Sequence, residues 1–405
     1  MRYYLGVDWA DQEHAVWVVD EAGQKVTART VPHTADGLSE WGRELDEWRG
    51  QGIELWAAIE RPEGRVVDVL LDHGVVVYPL NPKALDRARD RFRMSHAKDD
   101  PFDARVAASF VRTDHGHLRP LQPSSPAAQE LKLLSQDYER LVRQQTRLLN
   151  QLTVTLKEYY PRALELWEDL TTQRARAFLA AWSTPEAAGR LSPAQWRRFA
   201  RSHRLGPADA AALWGILQRP QLPVPPHVVR AKARLLQALL AQLEPTLRAV
   251  AAYRQAITAF FATLPAAEVA TTLPAGHGVT VPQIWAALGD APGRWESWQH
   301  LQAHAGAVPV TVRSGKFRCV GFRYACNKRL RAALHQFALC SLQRSEWARA
   351  YYDRQRAGGH RHNHALRALA AKWLKIIYVM WRDHVPYDEN YHLASIARHH
   401  LRQAA

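Results

Sequence analysis

The chain opens with three short runs rich in β-branched and aromatic residues: Tyr3 to Val7, His14 to Val19 and Lys25 to Val31. Glu21-Ala22-Gly23 lies between the second and third, where a hairpin turn is expected, so the pattern predicts a three-stranded meander. Thr34 to Arg49 then has Trp41, Leu45 and Trp48 at helical spacing. An apolar strand is expected over Ile53 to Ile59, a helix over Val66 to Asp72 and another strand over Val75 to Leu80, with Asn81-Pro82 as a break. Strands alternating with helices in this order predict an α/β domain with a mixed sheet.

After Pro120 to Pro126 the pattern becomes helical. Leu131, Leu134, Tyr138, Leu141, Leu148 and Leu152 follow alternating steps of three and four, a heptad seam that Gln145 interrupts. A second long helix is predicted from Val228 to Ala252, carrying Leu235, Leu239, Leu243 and Leu247, with Pro245 expected to kink or end it. Arg219 to His227 reads as a stiff linker. The two helices predict an antiparallel coiled-coil arm. The last third is mostly helical, with the segments Gln343 to Ala357 and His364 to Trp381. Expected boundaries are 1–122, 123–262 and 263–405.

Net charge adds a partner. At +15 over 405 residues, with 47% hydrophobic and 23% charged content, the chain is a folded protein suited to a polyanion, nucleic acid first and anionic membrane second. Cys319, Cys326 and Cys340 are an odd set without CxxC spacing, which argues against a disulfide framework and a zinc site and for a reducing cytoplasm. Ala365 to Trp381 is interrupted by Arg367, Lys372 and Lys375, so it is expected to pack as an amphipathic helix, not to span a membrane.

Candidate chemistry lies at element ends. Asp8 closes the first strand, with Asp11 as a competitor, and Glu60 closes an apolar one, with Glu63 nearby. Asp100 and Asp103 stand three apart at the start of a helix, on one face. The simplest reading makes Asp99 or Asp100 an N-cap and Asp103 a first-turn charge. As a set, the four carboxylates can hold divalent cations that polarise a phosphate. Arg87, Arg89, Arg91 and Arg93 alternate just before them, as a phosphate-contacting segment or a solvated helix edge. Ser314-Gly315 is expected in a flexible loop among Arg313, Lys316, Arg318 and Arg323, with Lys328, Arg329 and Arg331 following. Among these cations Ser314 is either a turn residue or a hydroxyl poised to attack a phosphodiester. Leu273 to Gly278 forms either a phosphate-facing glycine hairpin or a plain helix–helix turn. His360, His362, His364, His399 and His400 lack a second cluster at fixed spacing and read as surface or phosphate-contacting histidines.

The order of these pieces resembles the IS110 family of insertion-sequence transposases, the DEDD-type serine recombinases guided by a bridge RNA. The resemblance is carried by Gly6-Val7-Asp8, Ile59-Glu60, Asn81-Pro82, Lys98 to Ala104, Pro274 to Gly278, Gly306-Ala307-Val308-Pro309, Ser314-Gly315 and Leu330-Arg331. Asp99 stands where the family usually has Thr or Ser, and Cys326 where it usually has Gly. The resemblance implies a RuvC-like N-terminal domain of RNase H topology, a coiled-coil arm and a mostly helical C-terminal transposase domain holding the catalytic serine. It implies Mg²⁺ at Asp8, Glu60, Asp100 and Asp103, attack of Ser314 on DNA to give a 5′-phosphoserine link, donor and target DNA paired by a noncoding bridge RNA, and dimers pairing into tetramers. A cytoplasmic, nucleoid-associated protein is expected. The alternative is a RuvC-like metal-dependent nuclease of the junction-resolvase type, in which water replaces the serine. A non-enzymatic basic RNA-binding scaffold is the third reading.

Overall fold

The computed structural model describes residues 1–92, 99–220, 223–291, 293–315 and 317–395. They form two compact units, Met1–Pro123 and Ser124–Ala405.

The first unit is built on a five-stranded sheet of order β3-β2-β1-β4-β5: β1 Arg2–Asp8, β2 Glu13–Val19, β3 Lys25–Pro32, β4 Glu54–Ile59 and β5 Val76–Pro79. β2 runs antiparallel to both β1 and β3, whereas β4 is parallel to β1 and β5. The mixed sheet and its meander follow the sequence pattern closely. Gly23, at φ +82°, closes the hairpin by donating its amide to the Asp20 carbonyl at 3.0 Å.

Helices cover both faces. α1 (Ala35–Gly50) starts where the Thr34 side chain accepts from the Gly37 amide at 3.1 Å, and α2 spans Arg65–Asp72. They bury Leu38, Trp41, Leu45, Val66 and Leu70 against Leu5, Val7 and Ile59 of the sheet. α3 (Pro82–Arg89) and α4 (Asp100–Asp114) cover the opposite face with Leu85, Phe102, Val106 and Val111 against Tyr4, Ala58 and Tyr78. The expected break at Asn81-Pro82 is a helix start. Asn81 accepts from the Lys83 amide at 2.9 Å, and Pro82 occupies the first turn, where its missing N–H costs nothing.

The second unit carries two cores on one helix pair. α5 (Pro126–Tyr159) and α11 (Pro226–Ala262) lie antiparallel. Tyr138 meets Arg254 near one end, and Glu158 pairs with Lys232 near the other. Between them in sequence come α6 (Arg162–Leu166), α7 (Gln173–Ala181), α8 (Pro185–Gly189), α9 (Pro193–Ser202) and α10 (Pro207–Leu217). These close a distal core around Trp167, Phe178, Trp196 and Phe199, joined by Leu148, Leu152 and Leu156 of α5 and Leu236, Leu240 and Leu243 of α11. Pro245 lies inside α11, which continues for another seventeen residues. It does not end the helix, because packing on both sides outweighs the lost N–H and the ring clash.

The proximal core collects Leu131 and Tyr138 of α5 and Val250, Ile257 and Phe261 of α11. Around them stand α12 (Ala266–Ala270), α13 (Thr280–Leu288), α14 (Trp298–His304), α15 (Lys328–Ser341), α16 (Glu346–Ala357) and α17 (His362–Asp383). Trp373 is fully buried and donates its indole N–H to the Ser341 hydroxyl at 2.9 Å. Interrupting the helices is an antiparallel hairpin, β6 (Val310–Ser314) and β7 (Phe317–Gly321). Among the described residues no helix is long and apolar enough to cross a membrane.

α4 approaches β1 at Gly6. A Cβ there would stand 1.9 Å from the Ala104 carbonyl oxygen and 2.4 Å from the Ala108 nitrogen. Gly6→Ala therefore forces backbone apart, and it is expected to lower the first unfolding transition of the full chain by about 2 kcal/mol or more in urea. An unchanged transition would show that α4 does not rest on this residue.

Candidate active site

Strand alternation sets the geometry of the acidic residues. Tyr4 and Ala58 belong to the core under α4, whereas Leu5, Val7 and Ile59 belong to the core under α1 and α2. Asp8 therefore shares the α4 face with Tyr4 and Gly6. Glu60, one residue beyond β4, falls on the face of Ala58. The Val7–Ile59 pairing sets Asp8 and Glu60 at the carboxyl ends of neighbouring parallel strands. α4 passes over Gly6 and reaches His115, whose ring stacks on Tyr4 at 6.2 Å, so it runs antiparallel to β1. Its first turn, with Asp100 and Asp103, lies at the same edge.

The three acids at 99, 100 and 103 have separate jobs. Asp99 is the N-cap, accepting from the Phe102 amide at 2.7 Å. Asp100 is exposed in the first turn. Asp103 is 1% exposed, and its oxygens receive Arg89 Nε at 2.6 Å and Nη2 at 2.8 Å. This fork holds the Arg89 guanidinium's pKa above its ordinary value. Asp103 is thus more than a first-turn charge. Among the described residues no three His, Cys, Asp or Glu side chains are gathered closely enough to hold a metal ion. The donor chemistry nevertheless fits Mg²⁺: carboxylate oxygens from Asp8, Glu60 and Asp100 at one sheet edge are the hard ligands it takes.

The loop after β1 is tied down by a buried histidine. His14, 0% exposed, accepts the Ala10 amide at Nδ1 (3.4 Å), which leaves Nε2 to donate to His33 Nδ1 at 2.8 Å. Burial, then His33, lowers the His14 pKa to about 4.

The alternating arginines do not act as one segment. Arg87 is exposed, Arg89 is committed to Asp103 and Asp86, and Arg91 stands 3.6 Å from Asp114. Arg93 lies outside the described residues. Sequence spacing had no means of finding the Arg89–Asp103 fork, which joins two helices across fourteen residues.

In the second unit, Ser314 is the last residue of β6, at the tip of a two-residue hairpin, and not in an irregular loop. It is exposed, and Gly315 supplies the positive φ of +56° that the turn requires. Arg313 and Arg318 stand directly opposite each other across the strands. Like charges so placed repel. Val312, Phe317 and Val320 are each more than half exposed. Lys316 lies outside the described residues. Lys328 opens α15, next to the positive end of the helix dipole, where a cation is unfavourable. Arg329 reaches Glu139 at 3.3 Å. Leu273 to Gly278 is the turn joining α12 to α13, and the Gly276 amide is spent on the Leu273 carbonyl at 2.8 Å. His360, His362 and His364 are exposed, with His362 bonded to the Tyr352 hydroxyl at 2.7 Å and His360 stacked on His364. His399 and His400 lie outside the described residues.

Sequence reasoning treated Arg367, Lys372 and Lys375 only as interruptions of an apolar stretch. In the fold they line one groove with His364, Arg323 and Phe322. Their spacing along α17, close to a helical period from His364 onward, was the available signal.

Two outcomes follow from these contacts. Arg89→Gln strips the fork from a buried carboxylate and is expected to cost about 3 kcal/mol in chemical denaturation. His14 is neutral when folded, whereas the unfolded chain protonates it below pH 6.5. Its contribution is complete above that value and is lost as pH falls towards 4. A His14→Gln variant should show a flatter stability profile between pH 6.5 and 4 than the parent.

Comparison with known proteins places the chain. The transposase profile DEDD_Tnp_IS110 matches residues 5–161, and that described as "Transposase IS116/IS110/IS902 family" matches 267–353. The mini-circle putative transposase for IS117 of Streptomyces coelicolor is 31% identical over 402 residues, covering 96% of each chain. Putative transposase y4uE of Sinorhizobium fredii is 39% identical over 51% of this chain and 58% of its own. An uncharacterized 42 kDa protein of insertion element IS900, from Mycobacterium paratuberculosis, is 26% identical over 95% of this chain and 96% of its own. A solved structure of T. thermophilus RuvC in complex with Holliday junction substrate shares 14% identity, covering 30% of this chain and 100% of its own, at a TM-score of 0.23. On the two family matches and the 31% identical relative, the chain belongs to the IS116/IS110/IS902 family of insertion-sequence transposases.

Proposed function

We propose that the chain cuts and rejoins DNA through a covalent protein–DNA link at Ser314, guided by a noncoding RNA. The observation that supports this most is the exposed Ser314 at a hairpin tip, next to the pair of arginines that face each other. A phosphodiester bound at the hairpin tip by Arg313 and Arg318 relieves their repulsion. Attack forms the Oγ–phosphorus bond and breaks the bond to the 3′ oxygen. The serine proton is lost to solvent and the 3′ oxygen takes one up. Rejoining is the reverse, with a 3′ hydroxyl displacing the serine. Asp8, Glu60 and Asp100, with Asp103 beside them, would hold Mg²⁺, which when bound polarises the phosphate. The sheet order, with an antiparallel second strand, supports the RuvC-like reading of the first unit. Residues 1–122, 123–262 and 263–405 are proposed as catalytic, arm and serine-bearing regions, working in dimers that pair into tetramers.

Phosphate-directed cations without an evident base-reading element suit a protein that leaves sequence readout to RNA pairing. Donor and target DNA and the RNA are therefore the proposed partners. Arg87, Arg91, Arg313, Arg318, Arg323, Lys328 and Arg331 are the described contacts proposed for them, with Arg93 and Lys316 beyond the described residues. Arg89 remains a contact only if it releases Asp103.

Incubation with nicked DNA, Mg²⁺ and the flanking RNA should yield a denaturant-stable adduct. Ser314→Ala should abolish it, with strand cleavage reduced more than about a thousandfold. Asp8→Asn and Asp100→Asn should also abolish cleavage. If Ser314→Ala cuts DNA normally and no adduct forms, the chain is a hydrolytic nuclease that uses water.

A further inference from the structure

At the foot of the β6–β7 hairpin lies a groove of about 660 Å³ walled by α14, α16 and α17. Arg323, His364, Arg367, Lys372 and Lys375 line it, and no acidic residue does among the described residues. Elsewhere in the chain half-buried arginines meet carboxylates, as Arg89 meets Asp103 and Arg176 meets Glu244 at 2.6 Å. Here they do not. Arg323 Nε, Arg331 Nη1 and Arg367 Nε are buried nitrogens without a hydrogen-bond acceptor. What gathers two of them is an aromatic ring: Arg367 lies 4.6 Å and Arg331 4.9 Å from the Phe322 centroid. His335 Nε2, beside them on α15, is likewise buried and unbonded.

A ring can hold guanidinium groups together by cation–π attraction without consuming their N–H donors. A carboxylate would have neutralised the same cations and filled their forks. The arrangement costs energy as it stands, since unpaired buried donors and adjacent like charges both destabilise. Burial, and then Arg331, lower the Arg367 pKa, as two uncompensated cations must. An anion with several oxygens removes both costs at once.

We infer that this groove is a built site for one backbone phosphate of a nucleic-acid strand, with Arg367 and Arg323 of its lining as donors, and with Phe322 holding Arg331 beside Arg367. The identification of the anion as nucleic acid rests on the transposase reading. The site is not the reacting centre. Val310 and Gly321 pair at the foot of the hairpin and Ser314 and Phe317 at its tip, so the two are separated by roughly 14 Å of strand. That spans about four B-form steps. The groove anchors the strand beside the segment that Ser314 attacks.

The test is fluorescence anisotropy of the full chain with labelled DNA and RNA oligonucleotides of one sequence, in charged and methylphosphonate forms. Arg367→Gln and Arg331→Gln are expected to weaken binding of the charged strand about 5- to 30-fold each. Each should lower the log–log salt slope by about one, with no effect on the neutral strand. Arg140→Gln, an exposed arginine paired with Asp137, controls for net charge. Phe322→Leu should weaken binding while leaving net charge alone, and Arg367→Lys, which keeps charge but lacks the fork, should rescue only part. The strand type showing the larger loss is the occupant. Groove variants that bind like Arg140→Gln, with helical content intact by circular dichroism, overturn the proposal. If those variants still form the Ser314 adduct, the groove fails and the transposase chemistry stands. If the parent never forms an adduct but the groove variants lose binding, the groove stands and that chemistry falls.

Discussion

The contact of α4 with β1 at Gly6 is the constraint on which the first unit depends. Backbone meets backbone there, with the Ala104 carbonyl where any side chain would stand. This close approach fixes the height of α4 on the sheet. It thereby fixes where the first turn of α4 meets the carboxyl end of β1. Acidic residues far apart in sequence share an edge because strand parity and one missing Cβ leave them no other place. The Arg89–Asp103 fork then pins α3 to α4, so the acidic edge is braced from outside the sheet as well as beneath it.

The second unit solves a different problem. A long antiparallel helix pair exposes too much apolar surface to stand alone, and each end is capped by a core of its own. The distal core is an aromatic cluster fed by five short helices, and the proximal one carries the hairpin and the basic groove. Charge is distributed unevenly between these roles. Cations that brace the fold are matched by carboxylates, whereas those around the hairpin and the groove are left facing one another or an aromatic ring.

Strands β1 to β4 and the helices between them were legible because β-branched runs, Thr34 and the Gly23 turn each act locally. The long helix α5 was legible for the same reason. Pro245 does not end its helix because its local penalty is outweighed by packing that only the fold supplies. The hairpin at Ser314 was hidden by its own composition: arginines and glycines between short β-branched stretches read as a loop, and no buried face imposes alternation on them. The pairing of Arg89 with Asp103, and of Phe322 with arginines from two later helices, depends on tertiary geometry. No spacing rule encodes either.

The boundary between the two cores of the second unit falls in α11 between Leu247 and Val250, just beyond Pro245. Pro245 donates no hydrogen bond to the Ala241 carbonyl four residues before it. The antiparallel register puts half-buried Gln145 of α5 close to this level. Both long helices are therefore softest at one height, where a hydrogen bond is missing from one and an apolar knob from the other. A bend of α11 at that joint would break one backbone hydrogen bond fewer than a bend elsewhere along it.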